Sequence, residues 1–140
     1  MSYVQFSRKE FAIDGTKVSS IATFAEEFSR SVLGTYKWNG NLDAFNDILR
    51  GGFGTPDDGF LIKWQNSAVS RERLGYAQTV RELQDRLTTC HPSNRNGVQR
   101  EISRAQRKEG PTAFDWLVEI IQDHGPGGSQ EEDGVVLRLE

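Results

Sequence analysis

A chain of 140 residues has room for one ordinary hydrophobic core and too little length for two, so a single domain spanning residues 1–140 is expected. Apolar residues make up 36%, aromatic residues 10% and charged residues 26%, a balance that excludes disorder throughout. The net charge of -3 is too mild to define a partner. No apolar run of about 18 residues occurs and residues 1–9 contain no apolar leader core, which excludes a visible membrane span or secretory signal and makes the cytoplasm the expected location.

In chain order, Phe11 and Ile13 alternate in a short run that stops at Asp14 and Gly15, the pattern of a strand and turn. Ser19 or Ser20 can cap a first helix whose apolar members Ile21, Phe24, Ala25, Phe28 and Val32 share one face, with Glu26 and Glu27 turned away and Gly34 at its end. Residues 34–40 form a loop whose aromatic side chains, Tyr36 and Trp38, are expected at the surface. Asn41 caps a second helix with Leu42, Phe45, Ile48 and Leu49 on one stripe, closed by Gly51 and Gly52. After the turn-rich residues 55–59, Phe60-Leu61-Ile62-Lys63-Trp64 is a nearly continuous apolar run of strand length, as a central strand buried on both faces requires.

A helical stripe follows from Tyr76 through Val80, Leu83 and Leu87, and residues 91–97 read as loop. Val98, Ile102 and Ala105 mark a charged helix with a narrow apolar stripe, terminated by Gly110 and Pro111. Phe114, Trp116, Leu117, Val118, Ile120 and Ile121 surround nearly the whole cylinder of the next helix, which should lie buried between layers. Residues 125–134 read as a flexible acidic loop and residues 135–139 as a closing strand. Three strands separated by helical stretches imply an α/β fold with a small parallel sheet and three helices between the second and third strands. Charge is uneven: residues 71–109 hold nine basic against five acidic side chains, and residues 123–140 hold one basic against five acidic. Opposite faces of opposite sign are expected.

Catalytic patterns are sparse. Cys90 is the only cysteine, and His91 and His124 are the only histidines, which leaves no internal disulfide and no ordinary zinc set. Adjacent Cys90 and His91 do not form a nucleophile and base by sequence proximity alone, and a helix end before Pro92 explains them. Gly51-Gly52-Phe53-Gly54 lacks both the Lys-Ser/Thr tail of a phosphate loop and the spacing of a dinucleotide fingerprint. Neither an enzyme nor a cofactor is expected.

The sharper pattern lies in the second helix. At about 100° per residue, Leu42, Phe45, Ile48 and Leu49 fall on one side and Asp43, Asn46, Asp47 and Arg50 on the other. Asp43 and Asp47 therefore stand one turn apart, which costs a few tenths of a kcal/mol (~0.2–0.5) in an isolated helix. A merely solvated face, with Arg50 balancing Asp47, is one explanation. The other is an anionic surface flanked by Tyr36 and Trp38 and shaped for a cationic pocket.

These residues resemble a known family. Trp38-Asn39-Gly40-Asn41-Leu42-Asp43-Ala44-Phe45-Asn46-Asp47 is similar to the second-helix motif of the barstar family, inhibitors of the ribonuclease barnase. Residues 11–75 and 113–139 carry the resemblance in order, leaving residues 76–111 as an enlarged helical region. The resemblance implies a three-stranded parallel sheet packed by helices. It also implies that an acidic helix and its preceding loop plug the basic active site of a barnase-like ribonuclease, with Asp47 in the place of RNA phosphate and Asp43 beside it. Tyr36, Trp38, Asn39, Gly40, Asn41 and Asn46 complete the expected partner surface. A late-helix carboxylate is also implied, Asp123 by apolar phase or Glu119 one turn earlier. The chain departs from the family pattern where Lys37 takes the first place of an aromatic pair and Asn46 a place that Trp can occupy.

A different class of function competes with this one. The basic residues Arg95, Arg100, Arg104 and Arg107 within residues 71–108 could serve a nucleic-acid-binding module. Interleaved Glu101 and Glu109 and the lack of aromatics between Arg81 and Lys108 leave no stacking platform, so direct nucleic-acid binding is not expected.

Overall fold

The computed structural model describes residues 9–56 and 58–140. Residues 1–8, expected to carry no leader, and Asp57 of the turn cluster lie outside the described residues. Three strands, β1 (Lys9–Asp14), β2 (Phe60–Gln65) and β3 (Val135–Leu139), form a sheet in the order β1-β2-β3. Both pairings are parallel, with Ile13 opposite Trp64 and Phe60 opposite Val135. The central strand buries Phe60, Leu61, Ile62 and Trp64, so helices must cover both faces, and its unbroken apolar run is the sequence form of that requirement.

Between β1 and β2 lie α1 (Ile21–Phe28) and α2 (Leu42–Arg50). A reciprocal cap starts α1: Ser20 Oγ accepts from the Thr23 amide at 3.0 Å, and Thr23 Oγ1 accepts from the Ser20 amide at 2.9 Å. The helix then widens into a π turn, Ser29–Leu33, and stops at Gly34 in a positive-φ conformation. Phe24, Phe28, Val32 and Leu33 are buried along this face. Glu27, expected to point away, is instead 4% exposed. Its carboxylate accepts from the Asp14 amide at the end of β1 (2.9 Å) and from Arg30 Nε and Nη2 (3.0 and 2.7 Å), which offsets the cost of burying the charge.

Four helices, one more than expected, separate β2 from β3: α3 (Ser67–Arg73), α4 (Tyr76–Thr89), α5 (Arg95–Gln106) and α6 (Ala113–Asp123). The unforeseen one, α3, buries Ser70, whose hydroxyl donates to the Gly15 carbonyl and accepts from Trp64 Nε1, both at 2.9 Å. Three residues ahead of the expected Val98, α5 begins, and it packs on α4 around Leu83, Val98 and Ala105. Phe114, Leu117 and Ile121 of α6 enter the main core, while Trp116 borders the smaller one. Helix α4 is tied into the rest of the fold: Glu82 Oε2 accepts from the Ile21 amide at 2.8 Å, and Thr79 Oγ1 from the Ala113 amide at 2.7 Å.

Residues 125–134, expected to be flexible, are fastened on both sides. The Gln130 amide donates to the Asp123 carbonyl at 2.8 Å and the Val135 amide to the His124 carbonyl at 2.9 Å. A Cβ at Gly128 would lie 2.3 Å from the Asp123 carbonyl oxygen, so only glycine permits that approach. Among the described residues no helix is long and apolar enough to cross a membrane.

Candidate partner-binding surface

Local rules place α2 and the loop before it. Asn39 Oδ1 accepts from the Asn41 amide at 3.0 Å, turning the chain into the helix, and Asn41 Oδ1 then accepts from the Ala44 amide at 2.9 Å as its cap. Gly40, between them, has a φ of 96°, a conformation that suits glycine. Phe45, Ile48 and Leu49 are buried, which turns Asp43, Asp47 and Arg50 to solvent. The divided face expected from the sequence is present.

Trp38 departs from expectation. It is 4% exposed, stacks on Phe45 with ring centroids 4.4 Å apart and donates from Nε1 to the Asn41 carbonyl at 2.8 Å. The indole is a core side chain that braces the start of α2, where the sequence had placed it at the surface. Tyr36 is 40% exposed and leans on Phe53 at 5.1 Å.

An open cleft of about 1200 Å³ lies among α2, α4 and α6. Asn39, Gly40, Asn41, Asp43, Asn46 and Asp123 meet there. Tyr36, Trp38 and Asp47 do not line it. Glu119 and Asp123 both reach the cleft, so the two late-helix candidates occupy one wall. The Ser129 hydroxyl (2.9 Å) and amide (3.2 Å) donate to Asp123 Oδ1 and hold this carboxyl below the usual aspartate range, ionised. Asp47 pairs with Arg50 at 3.4 Å, and Arg50 also donates to Gln130 Oε1 at 2.6 Å.

Sequence reasoning missed two groups. Glu82 and Asp85 of α4 line the same cleft, and their only signal was a place on the polar side of a helix whose neighbours periodicity cannot name. His124, fully buried, touches both Asn46 and Asp133. The cleft's single basic residue, Arg86, lies over the Trp116 ring at 5.1 Å and reaches Glu101 at 4.0 Å. Against the five carboxylates of Asp43, Glu82, Asp85, Glu119 and Asp123 it leaves the cleft anionic.

His91 Nδ1 is satisfied by Ser93, at 2.8 Å from its hydroxyl and 3.1 Å from its amide, while Cys90 contacts the Leu87 carbonyl at 3.8 Å. Among the described residues no cluster of three or more His, Cys, Asp or Glu could hold a metal ion. On the basic side, Arg95 donates to the Leu87 carbonyl at 3.0 Å and Arg107 pairs with Glu109 at 3.4 Å.

No curated protein matches the chain. A family model described as Barstar (barnase inhibitor) matches residues 8–100, a span that takes in β1, β2, α1 to α4 and part of α5 but not α6 or β3. The match covers more than half of the 140 residues and agrees with the parallel three-stranded sheet: the chain belongs to the barstar family of barnase inhibitors.

Proposed function

We propose that the chain inhibits a barnase-type ribonuclease, with no catalysis of its own, and that α2 with the loop before it is the surface that enters the nuclease active site. The observation that carries this reading is the exposure of Asp43 and Asp47 on one side of a helix whose other side is anchored by Phe45, Ile48 and Leu49. A ribonuclease must hold phosphate with cationic side chains, and a rigidly presented carboxylate satisfies those same donors through charge-assisted hydrogen bonds. Asp47 stands in for the scissile phosphate and Asp43 for its neighbour. Tyr36, Asn39, Gly40, Asn41, Asn46 and Asp123 form the surrounding contact surface, and Trp38 serves it indirectly by bracing the loop. The cytoplasm suits a protein that protects its own cell from such an enzyme.

The test is a titration of barnase, cleaving RNA, with increasing amounts of the chain. Stoichiometric loss of cleavage is expected. Undiminished cleavage with the chain in micromolar excess would remove the reading.

A further inference from the structure

The polar side of α2 is wired to a buried histidine. His124 caps the C-terminus of α6 and is 0% exposed. Its Nδ1 lies 2.6 Å from Oδ2 of Asp133, in the turn before β3, and its Nε2 lies 2.7 Å from Oδ1 of Asn46, which lines the cleft. An ionised carboxylate only accepts hydrogen bonds, so the contact with Asp133 assigns a proton to Nδ1. The other contact has two solutions. With Oδ1 of Asn46 against the ring, Nε2 must also carry a proton, the ring is an imidazolium, and the amide NH2 is directed away from it. With a neutral ring Nε2 is an acceptor, which requires the amide to turn over so that Nδ2 donates and Oδ1 takes the outward place. Among the described residues the Asn46 side chain makes no other hydrogen bond, so the turn breaks none besides the one it remakes.

The charged groups around the ring are few. Asp133 is its direct partner; Asp123, adjacent in the chain, is turned to Ser129; Glu131 accepts from the Gly127 amide. On α2, Asp47 and Arg50 pair with each other, and at β3 the contact is between the Val135 amide and the His124 carbonyl.

We propose that His124 is a positioning residue for partner binding: through Asn46, its protonation selects whether the cleft side of α2 offers a ribonuclease a hydrogen-bond donor or one more acceptor. This rests on the reading of α2 as the inhibitory surface. A cationic partner favours the outward acceptor, and it also favours the absence of a positive ring behind it. Protonation therefore weakens the complex, and by reciprocity a bound ribonuclease favours the neutral ring. Acidification, which favours the protonated ring, therefore loosens binding, and alkaline pH tightens it.

Barnase is the probe, with its dissociation constant measured at about pH 5.5 and about pH 8 for the natural chain and for Asn46→Ala. Titrating groups of barnase affect both chains alike and cancel in the comparison. The natural chain should lose about fivefold more affinity on acidification than the variant, the difference one misdirected hydrogen bond makes. Equal losses overturn the proposal. In the free chain, the Asn46 side-chain amide signals in NMR should move in step with the His124 ring as the pH changes. Amide signals that stay still while the ring titrates overturn the coupling whether or not barnase binds. If the coupling is intact but barnase binds at neither pH, the inhibitory reading fails, and the partner role of His124 fails with it.

Discussion

Asp47 and Trp38 sit nine residues apart in the chain and carry opposite kinds of work. The Asp47 side chain is 63% exposed and its partner Arg50 55% exposed, so solvent screens the pair and little folding stability depends on it. Asp47→Ala should move the urea unfolding free energy by less than about 0.5 kcal/mol, yet weaken inhibition of barnase by about 30-fold or more if this carboxylate meets the nuclease's phosphate donors. Glu26→Ala, an exposed change on α1, is the matched control and should leave inhibition unaltered. Equal inhibition constants for the two variants would place the contact elsewhere. Trp38 reverses the pattern. Its ring stacks on Phe45 and its N–H is satisfied inside the fold, so Trp38→Ala should cost about 3–5 kcal/mol in denaturant unfolding. Nothing in the run Tyr36-Lys37-Trp38 separates the two aromatics, because a loop has no periodicity to assign a face. Only the path of the chain, which brings the indole over Phe45, makes one core and leaves the other at the surface.

Elements whose apolar residues follow a regular period were legible; those held by polar contacts were not. The capping residue and both faces of α2 could be read from Asn41 to Arg50, since capping and the 3.6-residue period act locally. The run Phe60 to Trp64 likewise announced a central strand. By contrast, α3 has Ser70 as its buried residue, and its anchors, the Gly15 carbonyl and Trp64 indole, come from two other segments. The buried Glu27 escaped notice for the same reason, its partners being Arg30 and the amide of Asp14 on β1. This junction has a measurable pH signature. Burial raises the Glu27 pKa, but the Arg30 and Asp14 hydrogen bonds and the Arg30 charge outweigh it, and the net direction is downward. A carboxyl whose pKa is lower folded than unfolded contributes stability above its unfolded value, about 4.3, and that contribution is lost as the pH falls through the folded value. Unfolding midpoints measured from about pH 6 down to about pH 3 should therefore drop more steeply for the natural chain than for Glu27→Gln. Parallel profiles would show that the Glu27 contacts do not link α1 to β1 energetically.

Across the whole molecule the charges are sorted by the helical layers. Asp43 of α2, Glu82 and Asp85 of α4, and Glu119 and Asp123 of α6 converge on one cleft, while α5, packed against α4, carries Arg95, Arg100 and Arg104. Some of the cleft's carboxylates are already engaged, Glu82 by the Ile21 amide and Asp123 by Ser129. Hydrogen bonds fix those groups without cancelling their charge, so the cleft keeps an anionic field that reaches into solvent. Low-dielectric walls focus such a field, and a basic ribonuclease approaching from that side is attracted before any contact forms. Salt shortens the reach, from a Debye length of roughly 30 Å at 0.01 M to about 3 Å at 1 M. Stopped-flow mixing with barnase should show the association rate constant falling by about tenfold or more between roughly 0.02 and 0.5 M salt, with dissociation changing much less because it reports short-range contacts. Neutralising Asp85, on α4, by Asp85→Asn should reduce the association rate at low salt and leave the rate at high salt unchanged. A rate constant indifferent to salt in both proteins would mean that the nuclease docks on shape alone, and that the converging carboxylates of α2, α4 and α6 play no part in bringing it there.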